Sequence, residues 1–232
     1  MRTRKFFAVF LLITAGLIVL PALVYAGVQE EAKVQAATSV FKEFMGIPEG
    51  GIPPSLLDSA HGLAIFPDML NAGFFFGGRY GVGVMIVRAE DNTWSNPVFF
   101  RIIGGSFGFQ FGMQSTDVIL IFKSIRSLDA ITSGKFTLGL DATIAAGPVG
   151  RQAQAGTDIQ LRAEILSYSR SRGLFLGASL EGAALQVQYG WNFAFYNMPG
   201  LLPMEIFRNR AIQAPPVANE LKRVVTSYAN AP

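Results

Sequence analysis

Cysteine is absent from this 232-residue chain, histidine occurs once, and only 15% of the residues are charged. Without cysteine there is no disulfide, thiolate zinc site, iron–sulfur cluster or cysteine nucleophile. One histidine, His61, leaves nothing for a multi-histidine metal site and little for imidazole acid–base catalysis, although carboxylates stay available. No cofactor or metal is implied, and no enzyme is expected. Positive charge is scarce once its placement is considered. Arg2, Arg4 and Lys5 crowd the N-terminus; removing them from the 19 cations leaves 16, against 16 acidic residues. The rest of the chain is neutral, so nucleic acid as a partner has no electrostatic support.

Half of the residues are hydrophobic, with 25 glycines and 20 phenylalanines. That composition excludes a disordered protein, and the length suits one domain with at most an appendage. The first 26 residues read as an address. Arg2 to Lys5 is a positive n-region and Phe6 to Leu20 an apolar run. Pro21 breaks the run, and Val24-Tyr25-Ala26 offers small residues where a signal peptidase reads. The run is short for a bilayer span. Residues 1–26 are therefore expected to be a cleaved signal peptide. The predicted destination is a periplasm or cell envelope, or the medium beyond it.

Val28 to Met45 reads as an amphipathic helix with Val34, Ala37, Phe41 and Phe44 on one face, stopped by Gly46 and Pro48. A second short helix is expected from Pro53-Pro54 to Gly62. From Leu63 the pattern changes to period two. Strands are expected over Arg79–Arg88, Val98–Met113 as one long strand, Val118–Phe122, Lys135–Ala145, Ile159–Tyr168 and Gly173–Val187. In the long strand, Gly105, Phe107, Phe109, Phe111 and Met113 would form a core face. Gly104, Ser106, Gly108, Gln110 and Gly112 would form a bare face that requires a close neighbour or a sharp bend. Helical turns are expected over Ser124–Ile131 and Trp191–Asn197, and a tail helix over Val217–Tyr228. Many strands joined by short turns predict an α+β fold: a strongly curved, barrel-like antiparallel β-sheet with an N-terminal helix and C-terminal helical segments. The domain is expected to span 27–197, with 198–232 a C-terminal extension.

Four blocks in order carry a family resemblance. They are Ile52-Pro53 through Gly62-Leu63-Ala64-Ile65-Phe66-Pro67; Ala72-Gly73-Phe74 through Gly81-Val82-Gly83; and Trp94-Ser95-Asn96-Pro97. The fourth joins Gly147-Pro148-Val149-Gly150-Arg151, Tyr168 to Phe175 and Ser179-Leu180-Glu181-Gly182, followed by Asn192 and Tyr196. This series resembles the SYLF domain family over roughly Val34 to Asn197. The resemblance implies a lipid-binding domain, since eukaryotic relatives bind phosphoinositides and some bind actin, while bacterial relatives are exported. Two positions where relatives often carry lysine hold Asn71 and Val82 here, which weakens the transfer of phosphoinositide affinity.

Tyr168, Ser169, Arg170, Ser171, Arg172 and Gly173 form the densest polar cluster. On a turn, two guanidiniums and two hydroxyls suit a lipid phosphate. The plain alternative is a solvated hairpin end whose arginines pair with Glu164 or Glu181. Gly147 to Arg151 is a glycine-rich turn ending in a cation without the Gly-Lys-Ser/Thr of a P-loop, and Gly77 to Gly83 lacks the spacing of a dinucleotide fingerprint. Trp94 and Trp191 read as packing residues and His61 as a structural residue near a helix end. The expected function is a non-enzymatic lipid-binding protein of the cell envelope, with an anionic phospholipid or membrane surface as partner. Arg170, Arg172 and Arg151, with Tyr168, Ser169 and Ser171, would hold the headgroup, and the sheet the apolar part. The alternative is a structural or protein-interaction module of the envelope. An outer-membrane barrel fits poorly, because the chain has helices and no paired aromatic girdles.

Overall fold

The computed structural model describes residues 27–47, 51–73, 76–107, 112–132, 134–148, 162–171, 174–175 and 180–229. The expected leader, together with Gly108, Arg151 and Arg172, lies outside the described residues. Helix α1 covers 27–45, and Gly46 closes it by donating to the Lys42 carbonyl at 2.8 Å. Its apolar stripe behaves as its period requires: Val34, Ala37, Phe41 and Phe44 are all fully buried. Each phenylalanine removed from water contributes on the order of 2–3 kcal/mol. Helix α2 (Pro54–Asp58) starts on a proline, whose missing N–H is no loss in a first turn.

Among the described residues, nine strands then build one sheet. They are β1 (Gly62–Gly73), β2 (Phe76–Val87), β3 (Val98–Phe107), β4 (Gly112–Phe122), β5 (Lys135–Thr137), β6 (Ile144–Ala146), β7 (Ile165–Ser171), β8 (Leu174–Phe175) and β9 (Ala184–Val187). Their order is β5-β9-β3-β2-β1-β4-β7-β6, with β8 attached to β7. The sheet is a strongly curved half-barrel, as the turn and glycine pattern predicts. All pairs are antiparallel except β6 with β7. Helix α3 (Ile125–Thr132) follows β4; α4 (Tyr189–Tyr196), α5 (Pro203–Arg208) and α6 (Pro216–Ala229) follow β9.

The expected long strand from Val98 to Met113 is two strands. β3 pairs with β2, whereas β4 lies two places further on beside β1. Alternation continues through both, so period alone carries no mark of the break. The need for a close neighbour on the glycine face is met at Gly104. A Cβ there would stand 3.0 Å from the Ala183 backbone and 3.3 Å from Arg79 Cδ, whereas nothing lies within 4 Å of one at Gly105. Met113, expected in the core, is exposed. Gly173 to Val187 likewise divides, into β8 and β9, and Lys135 to Ala145 into β5, a turn and β6. In β2, a Cβ at Gly83 would overlap the Ile65 carbonyl oxygen. There β1 bulges between Ile65 and Leu70, with Asp68 at φ 53°. The glycines of Gly81-Val82-Gly83 serve that close approach, not a cofactor.

The C-terminal residues pack into the same core. Ala218, Leu221, Val224 and Val225 of α6 are buried. The Tyr228 ring meets Phe41 of α1 edge-on at 5.8 Å, and Lys42 bridges to Glu220 at 3.3 Å.

Candidate binding surface

The block from Tyr168 to Ser171 occupies the last residues of β7, where Arg170 and Ser171 pair with Phe175 and Leu174 of β8. It is a hairpin end, as expected, but most of the described block turns inward. Tyr168 is buried and donates to the Pro148 carbonyl at 3.2 Å, and burial pushes its hydroxyl pKa up. Its ring lies so close to Gly147 that a side chain there would overlap it. This assigns packing to the glycine of that turn. Ser169 is buried. Ser171 is also buried; it donates to the Ser115 carbonyl at 3.1 Å and accepts from the Gln114 amide.

Arg170 is the described member of the block whose side chain stays partly exposed, at 16%. Its Nη2 contacts the Glu43 carboxylate of α1 and lies 3.0 Å from Asp117 Oδ2 of β4. Its guanidinium carbon stands 5.5 Å from the centroid of the Phe44 ring. Burial alone would lower its pKa; the hydrogen bonds and charges of Glu43 and Asp117 outweigh that and raise it. Arg170 therefore clasps α1 to the sheet, through carboxylates other than Glu164 or Glu181.

The Trp94 block is a second lock. The Arg88 guanidinium carbon sits 4.7 Å over the Trp94 ring while Nη2 donates to the Leu57 carbonyl at 2.6 Å. Ser95 Oγ accepts from Val87 N at 3.0 Å. Asn96 donates to the Ile212 carbonyl at 2.8 Å and accepts from Lys222 Nζ at 2.8 Å, joining α6 to the strand. Burial, then the nearby Arg210 charge, lowers the Lys222 pKa. The Tyr196 hydroxyl donates to the Pro97 carbonyl at 2.5 Å, and Trp191 packs 5.6 Å from Phe99. His61 takes part through its backbone, donating to Phe122 and accepting from Arg88, each at 2.8 Å.

A groove of about 720 Å³ lies at the α3 end of the sheet. Its floor is Ile125, Leu128, Met204 and Phe207, and its rim mixes Arg88, Arg208 and Arg210 with Glu90, Asp91 and Asp129. At the opposite end the sheet reaches beyond its helical cover. Leu70, Tyr80 and Ile103, on three adjacent strands and in direct register, are 44%, 47% and 37% exposed, and Met113 73%. By sequence period these residues are indistinguishable from core, because they alternate as buried strand residues do. The signal was the absence of charge from 69 to 78 and from 102 to 116. Among the described residues there is no cluster of three His, Asp or Glu fit for a metal, and no helix long and apolar enough to cross a membrane.

The family model for Ysc84, described as "Las17-binding protein actin regulator", matches residues 103–228. The chain is 35% identical over 181 residues to protein YSC84 of Saccharomyces cerevisiae, covering 77% of this chain and 38% of that protein. It is 32% identical over 204 residues to SH3 domain-containing YSC84-like protein 1 of Xenopus laevis, covering 85% of this chain and 60% of that protein. To the Homo sapiens protein of the same name it is 34% identical over 172 residues, covering 72% and 50%. The chain thus spans between about two fifths and three fifths of the length of these relatives.

Proposed function

The chain belongs to the Ysc84, or SYLF, family, and on that premise we propose that it is a non-enzymatic module that binds anionic phospholipid at a membrane surface. The observation that carries this reading is the in-register exposure of Leu70, Tyr80 and Ile103 on one face of the sheet. A contiguous exposed apolar patch marks a contact surface for a membrane or a partner. The motif residues, by contrast, work inside the fold: Asn96, Ser95, Tyr168 and Ser171 hold strands and helices together. For a phosphate to reach Arg170 it would have to displace Glu43 and Asp117. The residues 1–26, read as a leader, support an envelope location for this activity. The test is co-sedimentation of the full chain with phosphatidylglycerol vesicles and with phosphatidylcholine vesicles. Preferential pelleting with the anionic vesicles, reduced by salt, is expected; equal pelleting with both, or none, contradicts the reading.

A protein partner is the second reading, and the family description favours it, since it names Las17 binding and actin regulation. Those words attach to proteins longer than this chain. Actin co-sedimentation under the same conditions separates the two.

A further inference from the structure

Resting on the phospholipid reading above, the geometry points to the face of the sheet end that carries Leu70, Tyr80 and Ile103 as the part that enters the bilayer, with Arg101 and Lys135 behind it at headgroup depth and Arg79 on the opposite face. Directly paired residues in an antiparallel sheet share a face, and so do alternate residues along a strand. These rules place three successive rows on one face. The first row is Val82, Arg101, Gln186 and Lys135. The second is Ser115, Leu70, Tyr80, Ile103, Ala184 and Thr137. The third is Ala72, Gly78, Gly105 and Met113. All four residues of the third row are exposed, and nothing lies within 4 Å of where a Cβ of Gly78 or Gly105 would stand. The sequences joining these strand ends are Phe74-Phe75 and Gly108-Phe109-Gln110-Phe111, with no charge among them.

Along the central strands, polarity on this face therefore changes from cations to large apolar side chains, flanked by Ser115 and Thr137, and then to bare backbone. A bilayer presents the same order to an approaching protein, anionic headgroups first and the acyl boundary about 5–10 Å deeper. Rows lie about 7 Å apart, so the second and third rows reach that depth when the first row is level with phosphate. A patch for a second copy or a protein partner is ringed by polar groups on every side, whereas here the side toward the strand ends continues with Phe76 paired to Phe107. Arg101 is suited to its place. Its Nε and Nη2 donate to Gln186 Oε1 at 2.9 and 2.7 Å, and this neutral acceptor orients the guanidinium without neutralising it. Lys135 stands exposed in the same row. On the far flank Asp117 is met by Arg170, and Asp68 sits at the β1 bulge.

The absence of cysteine makes a single introduced thiol unique. Full chains carrying Met113→Cys or, at the opposite end, Ile125→Cys are labelled with an environment-sensitive fluorophore. They are then mixed with phosphatidylglycerol vesicles containing spin-labelled acyl chains. The probe at 113 is expected to shift to the blue and be quenched, and the probe at 125 to do neither. The triple variant Leu70→Ser, Tyr80→Ser, Ile103→Ser should lose about tenfold or more in vesicle affinity while still unfolding cooperatively, at a lowered thermal midpoint because each side chain is partly buried. Arg101→Gln and Lys135→Gln should each lose about fivefold. If the parent pellets with the vesicles while the probe at 113 stays unquenched, this orientation is overturned and the phospholipid reading stands. If the parent ignores the vesicles, both fall. A dimer abolished by the triple variant, without vesicle binding, assigns the face to a second copy and likewise overturns the inference.

Discussion

Asn192 closes both backbone polar groups of Phe99: its Oδ1 accepts from the Phe99 N–H at 2.8 Å and its Nδ2 donates to the Phe99 carbonyl at 3.5 Å. The amide is fully buried. One side chain of α4 thus continues the edge where β3 leaves β9, beyond the Phe100–Val187 pair. Replacing it with Leu, of similar size, leaves the buried Phe99 N–H unpaired, while the Phe99 carbonyl keeps the Gln188 N–H at 2.9 Å; the unpaired donor costs about 1–3 kcal/mol. Urea denaturation of Asn192→Leu should show that loss, and unchanged stability would mean that water serves Phe99 equally well.

Gly104 and Gly105 are neighbours in sequence with opposite tolerance. At Gly104 a side chain meets the Ala183 backbone at 3.0 Å, and at Gly105 it meets nothing within 4 Å. Gly104→Val should cost about 1–3 kcal/mol by overpacking, and Gly105→Val should be close to neutral. Equal effects of the two substitutions on the thermal midpoint would remove the close approach of the Ala183 segment from the account.

Asp91 and Arg210 pair at 2.6 Å in the turn beneath the Trp94 block. The hydrogen bond from Arg210, followed by those from Thr93, lowers the Asp91 pKa to about 2. A depressed carboxylate contributes stability that is present above its unfolded value of 3.8 and is lost as pH falls toward 2. Both side chains are more than half exposed, so salt screens the pair. Arg210→Gln should return the Asp91 midpoint toward the ordinary carboxylate range. A carboxyl carbon titration by NMR reads this, and an unmoved midpoint would transfer the effect to Thr93.

The leader reading makes its own prediction. Envelope material should yield an N-terminus near Gly27, because Val24-Tyr25-Ala26 precedes it. Edman sequencing that recovers Met1 from the envelope fraction would refute cleavage.

Periodicity made α1, α6 and the existence of the sheet legible, because each buries a regular stripe. Phe41 and Phe44 are buried where the helical period puts them. Strand partners were not legible. β3 and β4 run in one alternating pattern, yet β4 pairs with β1, in a register that shifts between Phe66 and Met69. Helix α5 escaped the residue reading because its six residues are too few to show a period. Of the site, the sequence marked Arg170 correctly as a hairpin-end cation. Its partners Glu43 and Asp117 stand 127 and 53 residues away, a separation that no local pattern encodes. The Arg101–Gln186 pair was hidden for the same reason, at a separation of 85.

On the proposed function, the folded domain itself, rather than the apolar residues 1–26, binds an anionic phospholipid surface. The measurement that tests it most directly is a titration of the chain starting at Gly27 with phosphatidylglycerol vesicles, read by co-sedimentation at low and high salt. Saturable pelleting at low salt, weakened by salt and absent with phosphatidylcholine, is the predicted result. Protein that stays in the supernatant at every lipid concentration, while the full chain pellets, would contradict it.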